Sequence, residues 1–465
     1  MGLVAQALIK FKAVFILPII VHYLTKEDIG IFRIITTSAG FIIPLVTLNI
    51  FDGSGIFLSS DFNKESLAKK YSSLISSLLI ILPITLFLAG TFLFLFNTTH
   101  PYWVLIIIFV FSSVIFKAFL TPYQAYQKSK KIVLINFINQ YANAGLTLIM
   151  IFLIVKNYYS LFIPVIVLQL MIAIYLYFDI KKEIPIKYYI DKGFIKKVIK
   201  VSLPLLPVYI GEWLLASLSI YFLAYYYGIE EVGLYSVAFS IASLILILRA
   251  TLQYFWFSTA TNLLQNNQMD NFVKIYKNVI KVYLTVIVVG VIFYLFFNHL
   301  LINILANKNY IAAQTPIIVL ALAFGFFVFS SIFNGVLYGL GETKIIFYGY
   351  LFSGVLTVLT SWFLVKNFSV LGAALSSLIG YLMLCFFLFF MVNKKIRFST
   401  YSIFNKHNII MSIYFLLSVF ITFYITNEIL KYLFGFLIIA ALSATLLITK
   451  TFNFSLITDI FRKEK

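Results

Sequence analysis

Apolar runs of about twenty residues, separated by short polar interruptions, recur along the whole chain. A run of that length crosses a bilayer as a helix, because each residue adds ~1.5 Å towards a hydrocarbon core about 30 Å thick. Windows of that size predict spans near 3–24, 31–58, 72–96, 102–126, 132–155 and 159–178. A second set falls near 203–227, 233–257, 279–298, 312–340, 345–365 and 370–391, and a last pair near 409–425 and 430–449. The expectation is an all-α integral membrane protein with fourteen transmembrane helices. The segment 299–313 reads as either interfacial or re-entrant.

Lysine placement tests that count independently, since Lys and Arg are retained in cytoplasmic loops. Segments after even-numbered spans, together with the C-terminal tail, hold twenty-five Lys and Arg residues. Segments after odd-numbered spans hold five: Lys26, Lys156, Lys308, Lys366 and Lys431. This alternation predicts both termini in the cytoplasm, and the expected location is the plasma membrane. The longest interruption, 179–202, carries Lys192, Lys196, Lys197 and Lys200 on one helical face and Phe194, Ile195, Val198 and Ile199 on another. It reads as a basic amphipathic helix, serving either as a linker between bundles or as a lipid head-group sensor. The expected organisation is a six-helix lobe over 1–178, a cytoplasmic linker over 179–202 and a second six-helix lobe over 203–391. Two extra helices and a basic tail follow over 392–465.

Composition narrows the function classes. The 465 residues are 62% hydrophobic and 11% charged, against about 45–50% and 25% in soluble domains. The formal net charge of +19 is accounted for by membrane topology and needs no nucleic acid. A lone Cys385 excludes a disulfide framework, and the four histidines show no ligand spacing. No phosphate-binding G-x-x-x-x-G-K-[ST] run occurs, so no cofactor is expected and energy must come from elsewhere, such as a proton or sodium gradient.

The two halves repeat. Glu27-Asp28-Ile29-Gly30-Ile31-Phe32 matches Glu230-Glu231-Val232-Gly233-Leu234-Tyr235, and Ser66–Tyr71 matches Asn271–Tyr276. Phe111-Ser112-Ser113 recurs as Phe329-Ser330-Ser331, and Val155-Lys156-Asn157 as Val365-Lys366-Asn367. Six spans in each half give two pseudo-symmetric lobes of like orientation, the arrangement of parallel-repeat transporters that rock about a central cleft.

The run Ile19–Phe32, with Gly233-Leu234-Tyr235 and Leu371–Ser376, resembles the Wzx-type polysaccharide-biosynthesis (O-antigen) flippases. These belong to the MOP superfamily alongside MATE exporters and lipid II flippases. The resemblance implies a flippase moving a polyprenyl-diphosphate-linked oligosaccharide from the cytoplasmic to the outer leaflet, with a polysaccharide polymerase or ligase as partner. Where many relatives carry an acid late in the seventh span, this chain has Leu218-Ser219-Ile220.

Charges inside the spans are the candidate site. Lys10, Lys12, Arg33, Lys117 and Arg249 are intramembrane, with only Asp52 and Glu212 as acids. Each costs a few kcal/mol or more at mid-bilayer unless hydrated or paired, about +2.5–3.5 on insertion scales. Lys10, Lys12, Lys117 and Arg249 are expected to line a cleft and bind a diphosphate head group, with Asp52 and Glu212 as charge partners or coupling groups. Glu212 is placed to pair with Lys10 or Lys12. Snorkelling of the lysines to lipid head groups is the competing reading. Short outer segments such as 97–101 and 228–232 leave no platform for a membrane polymerase or glycosyltransferase. A MATE-like exporter of cations would call for an acidic cleft, whereas a lipid II-type flippase fits the cations equally well.

Overall fold

The computed structural model describes residues 2–59, 64–95, 101–125, 129–183, 185–396 and 406–449. The basic tail, Lys128 and Arg397 lie outside the described residues, as do the side chains of Lys10, Lys64 and Lys130. Every regular element among the described residues is helical.

Helices α1 (Gly2–Tyr23) and α2 (Lys26–Thr47) meet at a turn built by Thr25 and Asp28. Thr25 Oγ1 accepts from the Asp28 N–H and Asp28 Oδ2 accepts from the Thr25 N–H, both at 3.1 Å. This reciprocal capping satisfies two donors that a helix start leaves orphaned. The other carboxylate oxygen of Asp28, Oδ1, accepts from the Tyr158 N–H at 3.0 Å.

The predicted span 31–58 is broken. After α2 the backbone turns left-handed at Leu48 (φ 46°) and Asn49 (φ 54°), then resumes as α3 (Ile50–Ser59). Pro44, four residues before the break, offers its carbonyl to the Asn49 N–H at 3.1 Å. A straight helix of that length would run about 42 Å, well beyond the hydrocarbon thickness.

Next come α4 (Lys64–Leu95), α5 (Pro101–Ala125), α6 (Ser129–Leu153) and α7 (Tyr159–Glu183). An extended stretch then leads to α8 (Lys192–Ser202) and α9 (Leu206–Tyr227). The extended stretch is strapped along α4. Backbone N–H groups of Lys187, Tyr189 and Asp191 donate to the hydroxyls of Ser72, Ser76 and Ser73 at 3.2, 3.1 and 2.8 Å. Asp191 then caps α8 by accepting from the Phe194 N–H. The amphipathic reading of α8 holds, but protein covers its apolar face. Phe194 and Val198 are buried against α3 and α4, while Lys192, Lys196, Lys197 and Lys200 are exposed. A Cβ at Gly53 would fall 1.9 Å from Ser202 Oγ, so glycine is what lets α3 and α8 touch.

The chain divides into two compact units, Met1–Trp213 and Leu214–Lys465, with the division inside α9. In the first unit α5 is central and packs on α2, α3, α4 and α7. Val114 and Ala118 of α5, Ile35 and Ala39 of α2, and Phe162 of α7 are fully buried.

The second unit continues with α10 (Ile229–Ala242), α11 (Ile247–Thr251) and α12 (Phe257–Gln265), joined by a 3₁₀ turn at 243–246 and a π turn at 252–256. The predicted span 233–257 is therefore one interrupted helix. Trp256 fastens it: its indole N–H donates to the Ile332 carbonyl at 2.8 Å. Then follow α13 (Met269–Leu305) and α14 (Gln314–Gly339). The ambiguous segment 299–313 resolves into the end of α13 and a 3₁₀ turn at Lys308–Ala313, whose Tyr310 is buried.

Spans 345–365 and 370–391 form one helical element, α15 (Thr343–Ile396), folded back at Ser369 (φ 48°, ψ −127°). The limbs approach where side chains are small. A Cβ on Gly372 would lie 2.0 Å from the Leu364 carbonyl oxygen. Last come α16 (Lys406–Tyr424) and α17 (Glu428–Ile448), which pack on α13 through Phe296, Phe297, Met411 and Leu442. Twelve helices among the described residues are long and apolar enough to cross a membrane, counting α15 once; the described apolar part of α1, Val14–Tyr23, is shorter.

The sequence repeat occupies equivalent places in the two units. Tyr71 on α4 and Tyr276 on α13 are both fully buried, as are Ser112 on α5 and Ser330 on α14. The Asp28 turn bonds the turn after α6. In the other unit, Tyr227 Oη donates to the Lys366 carbonyl at 2.7 Å, and Ser369 Oγ donates to Glu231 at 3.4 Å.

Candidate functional site

Of the predicted site residues in the first unit, the fold brings Asp52 and Lys117 together. The break at Leu48–Asn49 sets Asp52 in the first turn of α3, where a carboxylate suits the helix dipole. Lys117 on α5 donates to Asp52 Oδ2 at 2.7 Å, with 30% and 31% of the two side chains exposed. Tyr209 on α9 reaches the same oxygen at 3.4 Å. Partial solvent access lowers the cost of opening this ion pair relative to a fully buried one.

Lys12, on α1, donates to Gln140 Oε1 of α6 at 2.8 Å. Its partner is thus a neutral amide, and its charge stays uncompensated by any carboxylate among the described residues. The side chain of Lys10 lies outside the described residues, and Glu212 is half-buried on α9. Close by, Trp213 donates its indole N–H to the Thr37 carbonyl at 2.8 Å, tying the first turns of α9 to α2.

Arg249 belongs to the second unit. It sits on the short α11, between the 3₁₀ and π turns, with its guanidinium 4.2 Å from the centroid of the Phe327 ring on α14. π turns recur at functional positions because an extra residue re-aims the side chains around it. A cation over an aromatic face retains attraction at low hydration, worth about 0.5–2 kcal/mol. The second unit also holds an apolar cavity of about 420 Å³ among α13, α14, α15 and α16, reaching Phe329, Phe333, Phe389 and Phe415.

Sequence reasoning missed Gln140 and Tyr209. A signal for the first existed: Asn136, Asn139, Gln140 and Asn143 crowd one stretch of an otherwise apolar span. No group of three or more potential metal ligands occurs among the described residues.

Two units of long apolar helices with charged side chains inside them make this a multi-pass membrane protein. The fold superposes on the lipid II flippase MurJ in its inward closed conformation with a TM-score of 0.69 at 13% identity, covering 95% of this chain and 98% of that one. It superposes on an inward-facing multidrug resistance MATE family transporter of the MOP superfamily at 0.64 and 15%, covering 85% and 98%. At these identities the likeness is one of fold. In sequence, an uncharacterized membrane protein of Methanocaldococcus jannaschii is 26% identical over 269 residues, 53% of this chain and 51% of that relative, so the match spans about half of each. The MatE family profile matches residues 204–363, and the profile described as polysaccharide biosynthesis protein matches residues 2–253. The chain belongs to the polysaccharide biosynthesis protein family.

Proposed function

We propose that this protein is a flippase that carries a polyprenyl-diphosphate-linked oligosaccharide from the cytoplasmic to the outer leaflet by alternating access. One observation carries the reading: in a chain of this family, Lys12 bears its charge inside a membrane helix against an amide alone. A diphosphate is the kind of anion that such a cation can hold, since ammonium and guanidinium donors replace its lost hydration. Lys10, Lys12, Lys117 and Arg249 would contact the head group. Lys117 would exchange Asp52 for phosphate oxygen, and Asp52 and Glu212 would balance charge or couple transport to a proton or sodium gradient.

Fourteen crossings with both termini in the cytoplasm complete the proposal, as does a polymerase or ligase that consumes the delivered saccharide. The apolar cavity of the second unit suits a prenyl chain, because its lining is almost wholly hydrocarbon.

The test is transport by purified protein in liposomes, using fluorescent polyprenyl-linked saccharides with and without the diphosphate. The diphosphate form should cross and the other should not. Equal transport of both would remove the head group, and with it the cations, from the mechanism.

A further inference from the structure

Helix α6 is the least apolar of the twelve long helices, with a mean hydropathy of 1.3, and the reason is local. Asn136, Asn139, Gln140 and Asn143 fall within an arc of about 100° at 100° per residue and cover ~10 Å of helix. The opposite side of α6 carries Leu134, Ile138, Ile149 and Phe152, all strongly exposed, as a lipid-facing surface should be. The amides therefore point away from lipid.

These amides are half-buried, and only Gln140 has a partner, the ammonium of Lys12. Asn136, Asn139 and Asn143 make no side-chain hydrogen bond among the described residues, and Asn143 Oδ1 is shut off from solvent. An amide left without partners in a membrane helix costs about 1–3 kcal/mol.

Packing does not require them. The repeat pairs α6 with the first limb of α15, and Val155-Lys156-Asn157 with Val365-Lys366-Asn367 sets the register. In that register, Asn136, Asn139, Gln140 and Asn143 correspond to Ile346, Gly349, Tyr350 and Ser353. Those four are buried in the second unit and close-packed. The same face of the same repeat element is thus core in one unit and, in the other, a row of four amides of which only Gln140 is bonded among the described residues.

We infer that this row is a saccharide-contact surface, in which Asn136, Asn139 and Asn143 hydrogen-bond the hydroxyl groups of the sugar while Lys12, held in register by Gln140, faces the diphosphate. Each amide offers donors and an acceptor, as each sugar hydroxyl does, and neither carries charge. A prenyl chain would leave such a row without hydrogen-bond partners. The inference rests on the flippase reading and assigns the sugar a place beside the head group.

The experiment compares two substrates with the same fluorophore on the prenyl chain, one a polyprenyl diphosphate bearing an oligosaccharide and the other the bare polyprenyl diphosphate. The variant combines Asn136→Ala, Asn139→Ala and Asn143→Ala. Losing three hydrogen bonds should slow the sugar-bearing substrate about 10-fold or more. The bare substrate, which also reports that the variant folds, should change less than about 2-fold. Asn139→Gln, which keeps the amide, should retain more transport than Asn139→Ala. Equal loss for both substrates, or undiminished transport of the sugar-bearing one, overturns the inference. Failure of the unsubstituted protein to move either substrate instead overturns the function on which it stands.

Discussion

Separating Asp52 from Lys117 tests whether the pair is a coupled element or two independent charges. At 2.7 Å and an effective permittivity near 20, the attraction between them is about 6 kcal/mol before solvent takes its share. Both groups keep close to a third of their exposure, so desolvation and competing water return most of that, leaving a coupling of about 1–2 kcal/mol. Asp52→Asn strands an ammonium in α5, and Lys117→Gln strands a carboxylate at the start of α3. The double variant strands neither. Equilibrium unfolding of the four proteins in mixed micelles should therefore show each single variant losing stability, with the double losing less than their sum by that coupling. Additivity within about 0.5 kcal/mol would refute the reasoning and mark the contact as incidental.

Three other substitutions follow from close approaches. Gly372→Ala puts a methyl 2.0 Å from the Leu364 carbonyl oxygen and 2.8 Å from the Val365 nitrogen. Backbone on that side cannot rotate away, so the α15 hairpin should open and the yield of monodisperse protein on gel filtration should collapse. Gly380→Ala meets the Thr357 hydroxyl and a Leu215 methyl, which are side-chain ends, and should be milder in the same assay. Gly53→Ala collides with Ser202 and should cost about 1–3 kcal/mol in micelle unfolding, with Ser202→Gly recovering part of the loss. Thr25→Ala should cost about 1 kcal/mol as a lost helix cap, and Asp28→Asn more, because Asp28 also holds the Tyr158 N–H.

Long apolar runs were legible because a bilayer demands length, and length survives in a sequence whatever the packing. The α8 face followed from a period of 3.6, whereas the Thr25–Asp28 cap was not read from the sequence although both residues lie in the Ile19–Phe32 run. The break at Leu48–Asn49 was hidden, since a single Asn inside a mostly apolar run does not by itself mark a turn and only the left-handed backbone reveals it. The fold at Ser369 was placed within the gap between two spans, yet its dependence on Gly372 became visible only when the limbs met. Of the candidate site, the residue types were readable and the pairings were not. Asp52 finds Lys117 across 65 residues, and Lys12 finds Gln140 across 128. Contacts at such separations are set by which helices adjoin, a property no local window contains.

The crossover between α7 and α8 spends its backbone donors on every second residue, at 187, 189 and 191, and the acceptors are hydroxyls fixed to a rigid rod. Such a tether is indifferent to which side chains it bears and unforgiving about how many residues it contains. One inserted residue would turn each donor to the wrong side, and one deleted would pull Asp191 off the start of α8. Evolution can therefore redecorate this passage freely, but it has to conserve its count.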